Sequence, residues 1–80
     1  MKSEFSQNFL DALDNFPLVI QKKFEKQLRF LISDIRHPSL RAKKYEESTG
    51  TWQARVDKGV RFYFLIEKDA YVLIDIRYHD

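Results

Sequence analysis

The sequence predicts an α+β domain in which an N-terminal αα-hairpin packs on a twisted antiparallel sheet of three to four strands. Two observations carry that expectation. Apolar residues recur at helical spacing as far as Ile35 and at every second position from Trp52 onward, so the chain changes once from helix to strand period. Eighty residues with 44% apolar side chains, among them seven Phe, four Tyr and one Trp, supply one modest core and no second one. Residues 1–80 therefore read as a single domain. The absence of cysteine excludes a disulfide framework and thiol chemistry. Glu4, Asp11 and Asp14 interrupt the N-terminal stretch where a signal peptide would be apolar, and no run approaches the roughly 18 apolar residues of a membrane helix. A cytoplasmic chain without membrane contact is expected.

Ser6 can cap a short first helix with Phe9, Leu10, Leu13 and Phe16 on one stripe, and Pro17 suits the first turn of the next. Ile20, Phe24, Leu28, Leu31, Ile32 and Ile35 continue at helical spacing, with Lys22, Lys23, Lys26 and Arg29 off the stripe. His37-Pro38 should end this second helix, because a residue before proline avoids the α region. Residues 40–47 read as a short strand or an extended loop. Three strands follow, in which Trp52, Ala54, Val56, Val60, Phe62, Phe64, Ile66, Val72, Ile74 and Ile76 form an apolar even-numbered set that belongs against the helices.

Opposed residues of an antiparallel pair share a face, so even must meet even. A three-residue loop Asp57-Lys58-Gly59, with Gly59 left-handed, sets Val56 against Val60 and Arg55 against Arg61. A second turn at Lys68-Asp69-Ala70 sets Ile66 against Val72 and Arg61 against Arg77. Three arginines thus line up across three strands on the odd-numbered face, where opposed like charges destabilise by up to about 1 kcal/mol per pair. On this reading, loss of Arg61 relieves two repulsive pairs at little cost in stability. Either Asp75 and Glu67 neutralise the row, or it binds an anion, for which guanidiniums are suited by their permanent charge and fork-like donors. Residues 36–61 carry seven basic and three acidic side chains, net +4, whereas residues 1–35 balance. A phosphate-bearing partner fits that uneven distribution, with Lys43 and Lys44 as further phosphate contacts and Tyr63 as the candidate to stack on a base. His79 shares the parity of Arg77 and brings the one side-chain type that titrates near neutrality. His37 has no second ligand at metal spacing, and no cofactor or metal is implied.

"HPSLRAKKY", "TWQARVDKGVRFYFLI" and the closing "IRYHD" resemble the RelE/ParE toxin superfamily of bacterial type II toxin–antitoxin systems, and the ending resembles its YoeB branch. The resemblance implies two helices on a twisted antiparallel sheet whose open face binds mRNA on the ribosome, and a β-strand before the first helix, for which residues 1–5 are available. It implies that Arg61 stabilises the scissile phosphate, that Arg55 is the basic residue before the hairpin and that His79 is the terminal catalytic histidine. Glu46 stands nearest the branch's general-base glutamate. Asp80 places a carboxylate beside His79 that would repel phosphate. The implied function is a ribosome-dependent, metal-independent mRNA endoribonuclease that blocks translation and is held by a cognate antitoxin. The alternatives are a ParE-like gyrase inhibitor or an inactive relative that only binds its antitoxin.

Overall fold

A computed structural model describes residues 1–79. Its elements are β1 (Lys2–Phe5), α1 (Gln7–Asp14), α2 (Leu18–Ser33), a 3₁₀ turn (Pro38–Leu40), β2 (Lys43–Glu46), β3 (Thr51–Asp57), β4 (Val60–Glu67) and β5 (Ala70–Tyr78). They form the expected α+β arrangement with two differences in the sheet. It has five strands, in the order β1-β5-β4-β3-β2, and it is mixed, because β1 runs parallel to β5. Lys2-Ser-Glu-Phe5 has too short an alternation to announce a strand. It is nonetheless placed by backbone bonds from Lys2 N to Asp69 O (2.8 Å) and from Ser6 N to Leu73 O (3.0 Å), which cover the edge that β5 would otherwise expose.

Ser6 caps α1 as expected, its hydroxyl accepting from Phe9 N at 3.0 Å. The second helix ends at Ser33, four residues before His37. Asp34 is extended (φ −164°), and its carboxylate accepts from Arg36 N at 2.9 Å, a local turn that competes with helix continuation. His37 stacks on Phe30 with ring centroids 3.8 Å apart and accepts from Ser39 N at 3.2 Å. Its place is structural.

The core is a chain of aromatic contacts running from helices to sheet: Phe9 to Phe24 at 5.0 Å, Phe24 edge-on to Phe62 at 5.3 Å, Phe62 to Phe64 at 5.8 Å, and Phe64 edge-on to Tyr71 at 5.6 Å. Leu31, Leu40, Leu73 and Ile76 are buried with them, while Leu13, Ile20, Leu28 and Trp52 pack at its margin. Leu10 and Ile32, expected on the helical stripes, are exposed. Gln27 is buried on the α2 stripe. Its amide donates to Arg55 O (2.9 Å) and Ser39 O (3.2 Å) and accepts from the Ser39 hydroxyl (3.3 Å), so it fixes α2 to the strand that carries Arg55.

The even-odd rule holds through the middle of the sheet and fails at two bulges. Ala54 faces Phe62 and Phe62 faces Ile76. At the first hairpin the extra residue lies in the strand, not in the loop. The turn is the two residues Lys58-Gly59 and Asp57 faces Val60, so Val56 occupies a bulge instead of meeting Val60. Gly59 is not left-handed; Asp57 Oδ1 accepting from Gly59 N at 2.9 Å closes the turn. A second bulge at Ile74 sets Phe64 against Leu73 and Ile66 against Tyr71. From there toward the turn the large buried residues of β5 are Leu73 and Tyr71, with Ala70 buried at the strand's start, and Ile66 is exposed. The carbonyl of Ile74 accepts from Asn8 Nδ2 (2.8 Å) and the Ser6 hydroxyl (3.4 Å), which ties the bulge to the start of α1.

Candidate functional site

Arg55 faces Arg61, and Arg61 faces Arg77, across β3, β4 and β5. The three guanidiniums are differently held. Arg61 is only 9% exposed, and its Nη1 donates to the carbonyls of Asp57 (2.9 Å), Lys58 (3.3 Å) and Val60 (3.3 Å). It therefore braces the β3–β4 turn, and the expectation that its removal would cost little stability is corrected: the sequence showed the repulsion but not the three carbonyls. Arg77 pairs with Asp75 (Nε–Oδ2, 3.1 Å) and lies over the Tyr63 ring, 4.3 Å from its centroid. Glu67, the other proposed neutraliser, faces Ala70 at the far end of β4. Arg55 has no carboxylate partner among the described residues. Partial burial, then the neighbouring Arg41 and Arg61 charges, push its pKa below the ordinary arginine value, the direction that crowding of like charges requires. An arginine starts far enough above neutrality to remain charged there.

Around Arg55 the surface forms a polar concavity of ≈ 170 Å³ lined by Arg41, Lys43, Gln53, Ala54, Arg55, Arg61 and His79. The topology explains most of the list. Lys43 faces Gln53 across β2–β3, on the parity of Arg55. The bulge at Val56 restores the Arg55–Arg61 pairing after a two-residue turn. His79 reaches the site because its backbone N donates to Gly59 O at 2.8 Å, which carries the end of β5 back to the hairpin turn. Arg41 was not legible as a site residue. It follows the 3₁₀ turn in the left-handed conformation, φ 46° and ψ 44°, unusual for a side chain other than glycine, and that bend brings it beside Arg55.

The remaining sequence candidates lie outside this concavity. Lys44 faces Trp52, with Nζ 5.5 Å from the indole centroid and 3.8 Å from Glu47, so its parity turns it away. Glu46 faces Thr51, four residues along β3 from Arg55, roughly 13 Å at about 3.3 Å per residue. Its carboxylate accepts from the Ser48 hydroxyl at 3.4 Å. Tyr63 is 6% exposed; Arg77 covers one side of its ring, and Tyr45 meets it edge-on at 4.9 Å. Asp80 lies outside the described residues. The concavity thus gathers fixed positive charge, one imidazole and no carboxylate among its lining residues. It can bind a phosphate and offer it a proton donor.

Neither a protein-family model nor a curated protein sequence matches the chain. Its fold has close counterparts among solved structures. A YoeB/ParE toxin from Agrobacterium tumefaciens superposes with a TM-score of 0.82 at 15% identity, covering 100% of both chains. The heterotetrameric YoeB–YefM toxin–antitoxin complex from Staphylococcus aureus gives 0.80 at 14% identity, over 100% of this chain and 98% of the other. The archaeal RelE–RelB complex from Pyrococcus horikoshii gives 0.79 at 12%, over 96% and 92%. The chain thus shares its fold with these YoeB and RelE toxins.

Proposed function

We propose that this chain is the toxin of a type II toxin–antitoxin system, that it cleaves mRNA on the ribosome in the cytoplasm, and that a cognate antitoxin restrains it. One observation carries the reading: Arg41, Lys43, Arg55, Arg61 and His79 surround a single concavity in a fold shared with YoeB and RelE toxins. In RNA cleavage by the neighbouring 2′-hydroxyl, that oxygen attacks phosphorus, a P–O5′ bond breaks, and a 2′,3′-cyclic phosphate and a 5′-hydroxyl result. Negative charge grows on the phosphoryl oxygens in the transition state. Arg55, with Arg61 held beneath it, is placed to stabilise that charge, Lys43 and Arg41 to position the strand, and His79 to protonate the departing 5′-oxygen. Glu46 is too distant to take the 2′-hydroxyl proton, which passes to solvent water in the open concavity.

The absence of a carboxylate among the described lining residues favours a second reading, a relative that binds its antitoxin or gyrase without cleaving RNA. Purified chain added to ribosomes translating a defined mRNA, with breaks mapped by primer extension, separates the two. New 5′ ends within the ribosome-protected segment, lost in Arg55→Ala and His79→Ala, support the nuclease. Intact mRNA supports the alternative, with growth arrest on overproduction pointing to gyrase and its absence to antitoxin binding alone.

A further inference from the structure

Tyr45 has no part in the phosphate chemistry just described, yet it is the aromatic side chain on this face that solvent reaches. It is 51% exposed, whereas Tyr63 beneath it is enclosed. Two features hold its ring in place. It lies at the irregularity between Lys44 and Glu46 where the β2–β3 register shifts, so one residue of β2 is set out from the ladder there. Its ring stands edge-on to Tyr63 at 66°. Arg77, paired with Asp75, lies over that Tyr63 ring and fixes it in turn. An exposed ring so braced binds a planar group at a lower ordering cost than a mobile one. It also lies two residues along β2 from Lys43, roughly 6–7 Å at strand rise, about the reach of one nucleotide from the basic concavity.

We infer that Tyr45 is a stacking platform for an unpaired base of the RNA strand whose phosphate occupies the Arg55 concavity, and that Tyr63 and Arg77 are its supports. The inference rests on the nuclease reading above. It assigns recognition to a residue distinct from those that act on the phosphate. A stacked base is worth about 1–3 kcal/mol, which at 1.36 kcal/mol per decade is a loss of about 5- to 150-fold in kcat/KM when the ring is removed.

The test uses ribosomes programmed with mRNAs that differ only in the A-site codon, assayed with full-length wild type, Tyr45→Ala, Tyr45→Leu and Tyr45→Phe. Tyr45→Ala and Tyr45→Leu should lose about 5- to 150-fold in kcat/KM on the favoured codons and flatten the differences between codons. Tyr45→Phe, which keeps the π-face, should hold both within about threefold of wild type. The leucine variant preserves bulk over Tyr63, so a loss shared with alanine reports the ring and not a void. Wild-type codon profiles in Tyr45→Ala, or a phenylalanine variant as impaired as leucine, overturn the assignment while leaving the nuclease reading intact. A wild-type chain that cuts no codon overturns both.

Discussion

Replacing Arg61 by alanine tests whether this arginine is a liability tolerated for function or a structural brace. Two repulsive neighbours argue for relief: Arg55 and Arg77 stand directly opposite it, each worth some tenths up to about 1 kcal/mol, and Arg77 is already largely compensated by Asp75 at 3.1 Å. Against this stand three hydrogen bonds from one Nη1 to turn carbonyls, of which the 2.9 Å bond to Asp57 O is strong and the two at 3.3 Å are marginal. A bond from a charged donor contributes about 1.5–3 kcal/mol, and at 9% exposure solvent replaces it poorly. The net expected cost is about 1–2 kcal/mol. For a chain of this size each kcal/mol lowers Tm by about 4–8 °C, so Arg61→Ala should melt about 4–16 °C below wild type. Arg55→Ala, which removes charge without removing a side-chain hydrogen bond seen among the described residues, should melt within about 2 °C of wild type or slightly above it. Differential scanning calorimetry at neutral pH and low salt, repeated at high salt to screen the repulsion, gives both numbers. An Arg61→Ala protein that melts at or above wild type would show that the turn carbonyls gain nothing from the guanidinium and that the row is governed by repulsion alone.

Two further outcomes follow from the same geometry. Burial would raise the pKa of Asp57, but the Gly59 amide, Lys23 at 3.3 Å and the Val60 amide outweigh it and hold the carboxyl below the ordinary 3.8. A depressed folded pKa contributes stability that is complete above the unfolded value and is lost as pH falls through the folded one. The urea midpoint of wild type should therefore drop below about pH 4 by more than that of Asp57→Asn, and parallel curves for the two proteins would contradict the assignment. Arg41→Gly removes a left-handed strain of about 1–2 kcal/mol, offset in part by the larger unfolded-state entropy of glycine. It should be as stable as wild type or up to about 1 kcal/mol more stable in urea, yet bind or cleave RNA more weakly and with a shallower salt dependence; unchanged RNA affinity would remove Arg41 from the site.

The part of this molecule that was legible in advance is the part governed by period. Phe9, Phe24, Leu31, Phe62, Phe64 and Ile76 are buried as their spacing requires, and the parity of β3, β4 and the end of β5 brought Arg55, Arg61 and Arg77 into one row. What escaped notice is what a single displaced residue decides. Val56 and Ile74 look like ordinary members of an alternating set, and nothing in their chemistry marks them as bulged. Yet the bulge at Ile74 exchanges the faces of Val72 and Leu73, and the one at Val56 lets a two-residue turn keep the pairing expected of a three-residue loop. Gln27 escaped too, because a polar residue on an apolar stripe reads as a defect until Arg55 O is found against it. The site itself was half visible. Charge and parity located Arg55, Arg61, Lys43 and His79, but no local signal distinguishes Lys43, which lines the concavity, from Lys44, which packs on Trp52; only the β2–β3 register does.

The β3–β4 hairpin explains why the site carries charge that no carboxylate among the described residues cancels. Of the carboxylates near the row, Asp57 is engaged by Lys23 and the Gly59 amide, and Asp75 compensates Arg77 at one end, which leaves Arg55 and Arg61 without an acid partner among the described residues. The backbone, through the Asp57, Lys58 and Val60 carbonyls, holds the central guanidinium in place of an acid. A carbonyl anchors the group by its dipole without cancelling its charge, whereas an aspartate at the same distance would do both. The Val56 bulge and the tight Lys58-Gly59 turn put those carbonyls within reach of Arg61. The local distortion of the hairpin and the positive potential of the concavity therefore have one cause, and a change that straightened the bulge, such as deletion of Val56, would be expected to lose both together.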